Sequence, residues 1–444
     1  MADAMERALW GEVVPLYRHG LDESGFVPRL DGRWRPVGGG GSARRVVQAA
    51  RMLWTAAELV RRRPAEVGGW DGPGGIGVDL RGVTDHGTRT LLEKFVDRQG
   101  GGLFWEVDAS GRPTASGRGR THAYGVGFAI YALANAGDMQ GPGDAGALDG
   151  AMRLFGWLER HALDHEHGGY RECFERGGTP VADDEAEPGD SIGRPAGYKS
   201  MNTHIHLLEA FTRLFEVTGD ASVGRRVVGL VDLVLDRMVV EPGCTHQFFT
   251  RDWRPVPGLT SYGHDVELGY LLVEAVGAAV PGRLEEAWRA ARMLTDHALA
   301  WGFDAETGAL HAAGPAFGAA TERRTDWWAQ AEAVNAFSMM HERFGSETGR
   351  YFNAMAAAWR FADGRLIDHE HGGWWWSAGD AAAPVDTAGG LAGGSAGGSV
   401  GEHGDKANGW KTAYHTGRAM LNTADRLRRF SGSVAESGTR GVNG

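Results

Sequence analysis

Apolar residues recur along most of the chain with a period near 3.6, the spacing that places them on one face of a helix. The pattern predicts helices near 3–20, 42–62, 83–98, 121–137, 147–162, 199–217, 221–238, 264–280, 283–300, 326–344, 346–362 and 410–430. Long stretches of strict alternation, the mark of half-buried strands, do not occur. Short glycine-led or aromatic segments stand between helices instead: SGFVPRL, GGLFWEV, GGYRECF, HQFFTRDW, TGALHAA and GGWWWS. Each reads as a turn opening a short hairpin. Each also follows an odd-numbered helix and precedes an even-numbered one. Their spacing, roughly 60–80 residues, is that of an internal repeat. The unit is helix, hairpin, helix, and it occurs six times. Twelve antiparallel helices in six pairs close into an all-α (α/α)6 barrel. The even helices would form one ring and the odd helices the other, with all hairpins at one end.

The string DHEHGG occurs twice, from Asp164 and from Asp368. Two histidines flanking a carboxylate suggest a metal site. Their i, i+2 spacing suits one face of a strand, not the i, i+4 spacing of a helical zinc pair. The copies fall in the third and sixth units, on opposite sides of the expected barrel. Each is therefore expected to be a turn leaving an odd helix, its histidines solvated or facing substrate, with no metal bound. Two stretches interrupt the pattern at the hairpin end. Residues 178–198 are acidic and rich in Pro and Gly, and residues 378–405 contain GGLAGGSAGGS. Such loops either gate a pocket or are surface insertions. Residues 1–430 are expected to form one domain and 431–444 a polar, frayed tail.

Composition narrows the function classes. The 444 residues, 42% hydrophobic, suffice for a large single core. A net charge of −11 without any basic stripe argues against nucleic acid and anionic membranes as partners. No run approaches the roughly 18 apolar residues of a membrane span. The segment MADAMERALWGEVVPLYRHG reads as an amphipathic helix, not a signal peptide. Cys173 and Cys244 are the two cysteines, which fits a reducing compartment. The expectation is a cytoplasmic protein, monomer or homodimer, acting on a small molecule. Sixteen tryptophans suit core packing and also stacking on the apolar faces of sugar rings.

Polar residues gather near the starts of the even helices. NTHIHLLEA places Asn202 and His206 on one face, with His204 pointing elsewhere as a structural residue. YGHDVELGY puts His264 in a first turn and Glu267 one turn deeper. The positive end of a helix dipole favours a neutral imidazole, which serves as a base near pH 7. DWWAQAEAV pairs Trp328 with Glu332, and GWKTAYHTGRA carries Trp410, Tyr414, His415 and Arg418. Gln48, Arg51 and Thr55 make a polar stripe that ordinarily marks a solvated helix face. If the even helices are the inner ring, these starts converge on one cavity. Two imidazoles across a cavity suit removal of a proton from one face of a carbon acid and its return to the other, which is epimerisation. Arg51 is the cation available to stabilise the enediolate oxygen.

The segments ARMLWT (50–55), HAYGVGFAIYALA (122–134), KSMNTHIHLLEAFTRLF (199–215), GHDVELGYLL (263–272), WWAQAEAV (327–334) and WKTAYHTGRA (410–419) together resemble the N-acylglucosamine 2-epimerase superfamily, most closely its cellobiose 2-epimerase branch. That resemblance implies an (α/α)6 barrel. It implies His264 and His415 as the acid/base pair at sugar C2, His206 in ring opening, and Arg51 near O1 and O2. It implies Glu267 and Glu332 as supporting carboxylates, Trp328 and Trp410 as pocket walls, and Tyr124 and Asn202 as substrate contacts. The implied reaction passes through a cis-enediolate and needs no metal or nicotinamide cofactor. This chain has Ala43-Arg44-Arg45 where the family usually carries a lysine. The alternatives are a monosaccharide 2-epimerase or aldose–ketose isomerase on the same scaffold, a glycoside hydrolase using two carboxylates, and a non-catalytic sugar-binding barrel.

Overall fold

The computed structural model describes residues 1–38, 42–64, 77–140, 145–181, 192, 197–378 and 404–440. Most of both interrupting stretches, 178–198 and 378–405, lies outside the described residues. Among the described residues twelve α-helices follow one another: α1 Ala2–His19, α2 Val46–Arg62, α3 Leu80–Thr90, α4 Ala123–Gln140, α5 Ala145–His161 and α6 Met201–Thr218. The second half is α7 Ala221–Leu233, α8 Tyr262–Ala279, α9 Leu284–His297, α10 Trp327–Phe344, α11 Arg350–Arg365 and α12 Tyr414–Arg440. The last helix extends past the expected end at 430.

The even helices pack side by side in the order α2, α4, α6, α8, α10, α12, and α12 returns to α2. The odd helices form the outer ring, each against an inner neighbour: α3 on α2, α5 on α4, α7 on α6, α9 on α8, α11 on α10 and α1 on α12. Patterning explains the sorting. Every residue of α2 from Val46 to Val60 is buried, so this helix is enclosed on all sides. In α9 the buried set is Ala287, Ala290, Ala291, Leu294, Thr295 and His297, the single stripe of a helix with one face in water. The stripe of Gln48, Arg51 and Thr55, read above as a solvated face, is therefore buried. Gln48 donates to the Val27 carbonyl at 3.0 Å and Thr55 to the Arg51 carbonyl at 2.9 Å.

A short hairpin follows each outer helix and precedes the next inner one. Leu21–Asp22 pairs with Gly25–Phe26, Val239–Val240 with Cys244–Thr245, and Phe303–Asp304 with Ala309–Leu310. Single bridges close the other three, Val96 to Leu103, Leu163 to Tyr170 and Ile367 to Trp374. The inner helices therefore all start at the hairpin end. Ser200 caps α6 by accepting from the Thr203 amide, and Asp220 caps α7 through the Ser222 and Val223 amides. Gly219, at φ 64°, ends α6 in the left-handed conformation that glycine tolerates.

Both DHEHGG copies are turns inside such hairpins. Asp164 Oδ1 accepts from the amides of Glu166 and His167, and Asp368 Oδ1 from those of Glu370 and His371. That side-chain cap curls the chain, so the histidines lie in a turn, as expected, and not along a strand face. His165, His167 and His369 are exposed. The other oxygen of each aspartate holds a buried lysine, Lys199 at 3.0 Å and Lys406 at 2.7 Å. The second glycine of each copy, Gly169 or Gly373, has positive φ and lies too close to Trp253 or Trp34 for a Cβ to fit unmoved. Among the described residues no helix is long and apolar enough to cross a membrane.

Candidate active site

The starts of the six inner helices surround a pocket of about 340 Å3, counting its mouth. Its walls are Arg51 from α2, Tyr124 from α4, His206 from α6, and His264 with Glu267 from α8. Trp327 and Trp328 from α10, His415 from α12, and Trp410 just before α12 complete it. The structure thus brings together eight of the ten residues singled out from sequence. The other two stand behind the wall. Glu332 is fully buried behind His415, and Asn202 is buried one turn before His206.

Trp328 packs against both His264 and His415, with ring centres 4.6 and 5.7 Å apart. The two imidazoles are held differently. His415 Nδ1 lies 2.6 Å from Glu332 Oε1, whereas His264 Nδ1 lies 2.8 Å from the Ser261 hydroxyl. Burial pushes both rings down to about 3, so both are neutral at pH 7. Burial also lowers His206, whose Nδ1 pairs with Glu209 Oε2 at 2.9 Å. His206 Nε2 has no hydrogen-bond partner among the described residues. His204, by contrast, faces away from the pocket walls. Its Nε2 accepts from the Tyr170 amide at 3.0 Å and its Nδ1 meets the Ser200 carbonyl at 2.7 Å.

Below the histidines lies a charge cluster assembled from four helices. Arg418 Nη2 donates to Glu267 Oε1 at 2.6 Å and to Glu332 Oε1 at 2.7 Å, and Arg418 Nη1 donates to Glu209. Tyr270 donates to Glu332 Oε2 at 2.8 Å, and Tyr414 to Glu209 at 2.7 Å. Burial opposes ionisation of Glu332 and Glu209. The Arg418 charge outweighs it and holds both below their ordinary range. Both are then acceptors only, so His415 and His206 each carry the proton on Nδ1. Glu267 is pushed the other way, first by burial and then by the Glu332 charge. Donor atoms of Glu267, Glu332 and His415 come within 4.8 Å of one another, close enough to hold a cation. The Arg418 guanidinium already stands among them in that role.

Arg51 donates to the Trp410 carbonyl at 2.8 Å and to the Tyr124 hydroxyl at 3.0 Å, and lies 4.4 Å over the Phe128 ring. It holds its charge at the pocket wall, despite lying further into its helix than the histidines do. Sequence reasoning missed Glu209, Ser261 and Tyr270. Glu209 stands three residues after His206, the same spacing that drew attention to Glu267 after His264. Ser261 stands at the same spacing before His264, at the start of α8, whereas Tyr270 has no comparable signal because it acts on Glu332 of another helix.

Comparisons with known proteins agree on the family. The sequence profile of N-acylglucosamine 2-epimerase matches residues 41–389. A cellobiose 2-epimerase of Bacteroides fragilis is 28% identical over 428 residues, covering 94% of this chain and 97% of its own. A D-mannose isomerase of Thermobifida fusca is 26% identical over 308 residues, covering 66% of this chain and 70% of its own. The solved cellobiose 2-epimerase of Bacillus thermoamylovorans superposes with a TM-score of 0.78 over 96% of this chain and 99% of its own. At 23% identity, that likeness speaks to the fold. With the profile spanning most of an (α/α)6 barrel, the chain belongs to the N-acylglucosamine 2-epimerase family and is an enzyme of the isomerase class.

Proposed function

We propose that the protein is a sugar 2-epimerase that inverts C2 of the reducing-end glucose or mannose unit of a β-1,4-linked, cellobiose-like disaccharide. The observation that carries this reading is the pair of buried neutral imidazoles, His264 and His415, packed against one tryptophan in a pocket that also presents Arg51. His206, with Nε2 unpartnered, serves ring opening and holds the open chain. One of the paired histidines then takes the C2 proton and becomes an imidazolium, leaving a cis-enediolate. Rotation about C2–C3 turns the other face, and the second histidine returns a proton to C2. Both rings are neutral in the free protein, so the second takes up a proton from water as the sugar binds, and exchange with water resets the pair. Ionised Glu332 suits His415 to hold the charge, while the uncharged Ser261 leaves His264 the better neutral base. Arg51 stabilises the enediolate oxygens. Tyr124 and Asn202 contact hydroxyls, and Trp328 and Trp410 cover the apolar faces of the ring. Glu267 and Glu332 support the histidines, and no metal or nicotinamide takes part.

The likeness to a D-mannose isomerase supports a second reading. The same enediolate protonated at C1 gives a ketose. A glycosidase is not supported. Glu267 and Glu332 meet on one guanidinium nitrogen and cannot flank a glycosidic bond as acid and base. Separate incubations with cellobiose, lactose, mannose and N-acetylmannosamine in D2O, followed by proton NMR, decide the matter. A C2 epimer deuterated at C2 is the expected product from cellobiose. A ketose would establish the isomerase, and free glucose would overturn both readings.

A further inference from the structure

Three carboxylates, Glu209, Glu267 and Glu332, share one buried guanidinium, Arg418. Their other partners are unequal. Glu332 also receives His415 Nδ1 and the Tyr270 hydroxyl, and Glu209 receives His206 Nδ1 and the Tyr414 hydroxyl. Glu267 receives Arg418 alone, on Oε1, while its Oε2 is buried without a hydrogen-bond partner among the described residues. A buried carboxylate oxygen without a donor is costly, and costlier beside two like charges. A proton on that oxygen removes the charge and leaves a hydroxyl in need of an acceptor, and Glu267 is the member of the three that lines the pocket. The groups around it on the other elements are accounted for: Arg418, His415 and Tyr414 on α12, Glu332 on α10, Glu209 and His206 on α6, and Arg51 and Tyr124 on α2 and α4. Burial, followed by the Glu332 charge, favours the same protonated form.

We propose that Glu267 stands in the resting enzyme as a neutral carboxylic acid whose Oε2–H donates a hydrogen bond to the sugar oxygen that becomes negative in the enediolate. The role in catalysis rests on the epimerase reading above; the protonation state does not. A neutral donor adds electrostatic stabilisation where charge develops without adding an anion to a pocket that must hold one. No proton is transferred to the sugar in this role.

The first test uses the free protein without sugar. Infrared difference spectra of wild type against Glu267→Gln should show a protonated-carboxyl stretch at pH 7 that disappears at alkaline pH. Asp265, Glu12 and Glu274, which burial also pushes up, give bands that this variant leaves in place. No Glu267 band at pH 7 would overturn the proposal. Should Glu267→Gln not fold, Glu332→Gln replaces it. Removing that neighbouring charge should move one carboxyl band to lower pH, and an unmoved set of bands would overturn the proposal. The second test is the pH profile of whichever sugar reaction the protein performs. Wild-type kcat/KM should fall by about a hundredfold per pH unit at the alkaline end of its profile, where Glu267 and the proton-delivering histidine each lose a proton. Glu267→Gln, slower but still carrying an amide donor, should keep only the histidine's fall of about tenfold per pH unit. The same steep fall in the variant would sink the donor role, while the infrared result would still report the protonation state.

Discussion

His264 and His415 share a tryptophan but not a partner, and that difference sets what each is expected to lose on substitution. His264→Asn and His415→Asn should each lower turnover by about 10^2- to 10^4-fold, the usual worth of a positioned acid or base. Loss of C2 deuteration in D2O is the measurement, with a thermal melt to confirm folding. Deuteration at the wild-type rate in both variants would sink the proton-transfer assignment. His204 makes a contrasting prediction. Its Nε2 must be unprotonated to accept from the Tyr170 amide, and burial lowers the ring from 6.5 to about 3. A group depressed on folding contributes stability that is whole above its unfolded value and lost as pH falls toward the folded one. Unfolding free energy should therefore drop between pH 6.5 and 3 more steeply in wild type than in His204→Asn, as urea titrations at a series of pH values would show. The two histidines of NTHIHLLEA were separable in the sequence because i, i+2 residues cannot share a helix face. The role of Arg418 was not separable. It was visible as one cation in the last helix, but its three carboxylates come from α6, α8 and α10, and no spacing within one segment reports on that.

At the level of elements, the repeated turn is a device with four parts: an aspartate that caps it, a buried lysine, a paired glycine and a tryptophan. Trp253 donates to the Gly168 carbonyl at 3.1 Å in one copy, and Trp34 donates to the His371 carbonyl at 2.8 Å in the other. Both tryptophans have positive φ, 66° and 62°, a strain that the same surroundings hold in place twice. Each lysine is almost completely buried against its aspartate. Lys406→Met should destabilise the protein by about 3–5 kcal/mol, because it strands the Asp368 charge. Adding Asp368→Asn should recover part of that loss in urea unfolding. No recovery would show that the lysine acts through its contact with Trp375, 3.8 Å from its ammonium, instead. Helix existence was legible from apolar periodicity almost throughout, while starts were displaced where local hydrogen bonds compete. The helix expected from 42 begins at Val46 because Arg44–Arg45 pairs as a strand with Glu106–Val107. The helix expected from 410 begins at Tyr414 because Asn408 Oδ1 takes the amides of Trp410 and Lys411.

For the whole molecule, the order of odd helix, hairpin and even helix was enough to anticipate two rings with the hairpins at one end, and the polar residues at the even-helix starts pointed to a pocket there. The burial of Gln48 and Thr55 was not foreseen, because a polar stripe looks solvated until the helix carrying it is enclosed by neighbours. Arg418 ties α12, the last helix formed along the chain, to α6, α8 and α10 through their carboxylates. The ring is thus held from its centre as well as by packing at its seams. Its parallel arrangement carries one more consequence. Each inner helix carries roughly half a positive charge at its start, and six such starts face the same space. The mouth of the barrel should therefore discriminate between inhibitors by charge. An aldonohydroxamate, which imitates the negative enediolate, should inhibit at least about 100-fold more tightly than the alditol of the same sugar, as expected of a transition-state mimic. Equal inhibition constants for the two would mean that the carboxylates beneath the pocket cancel the field of the helix ends before the ligand feels it.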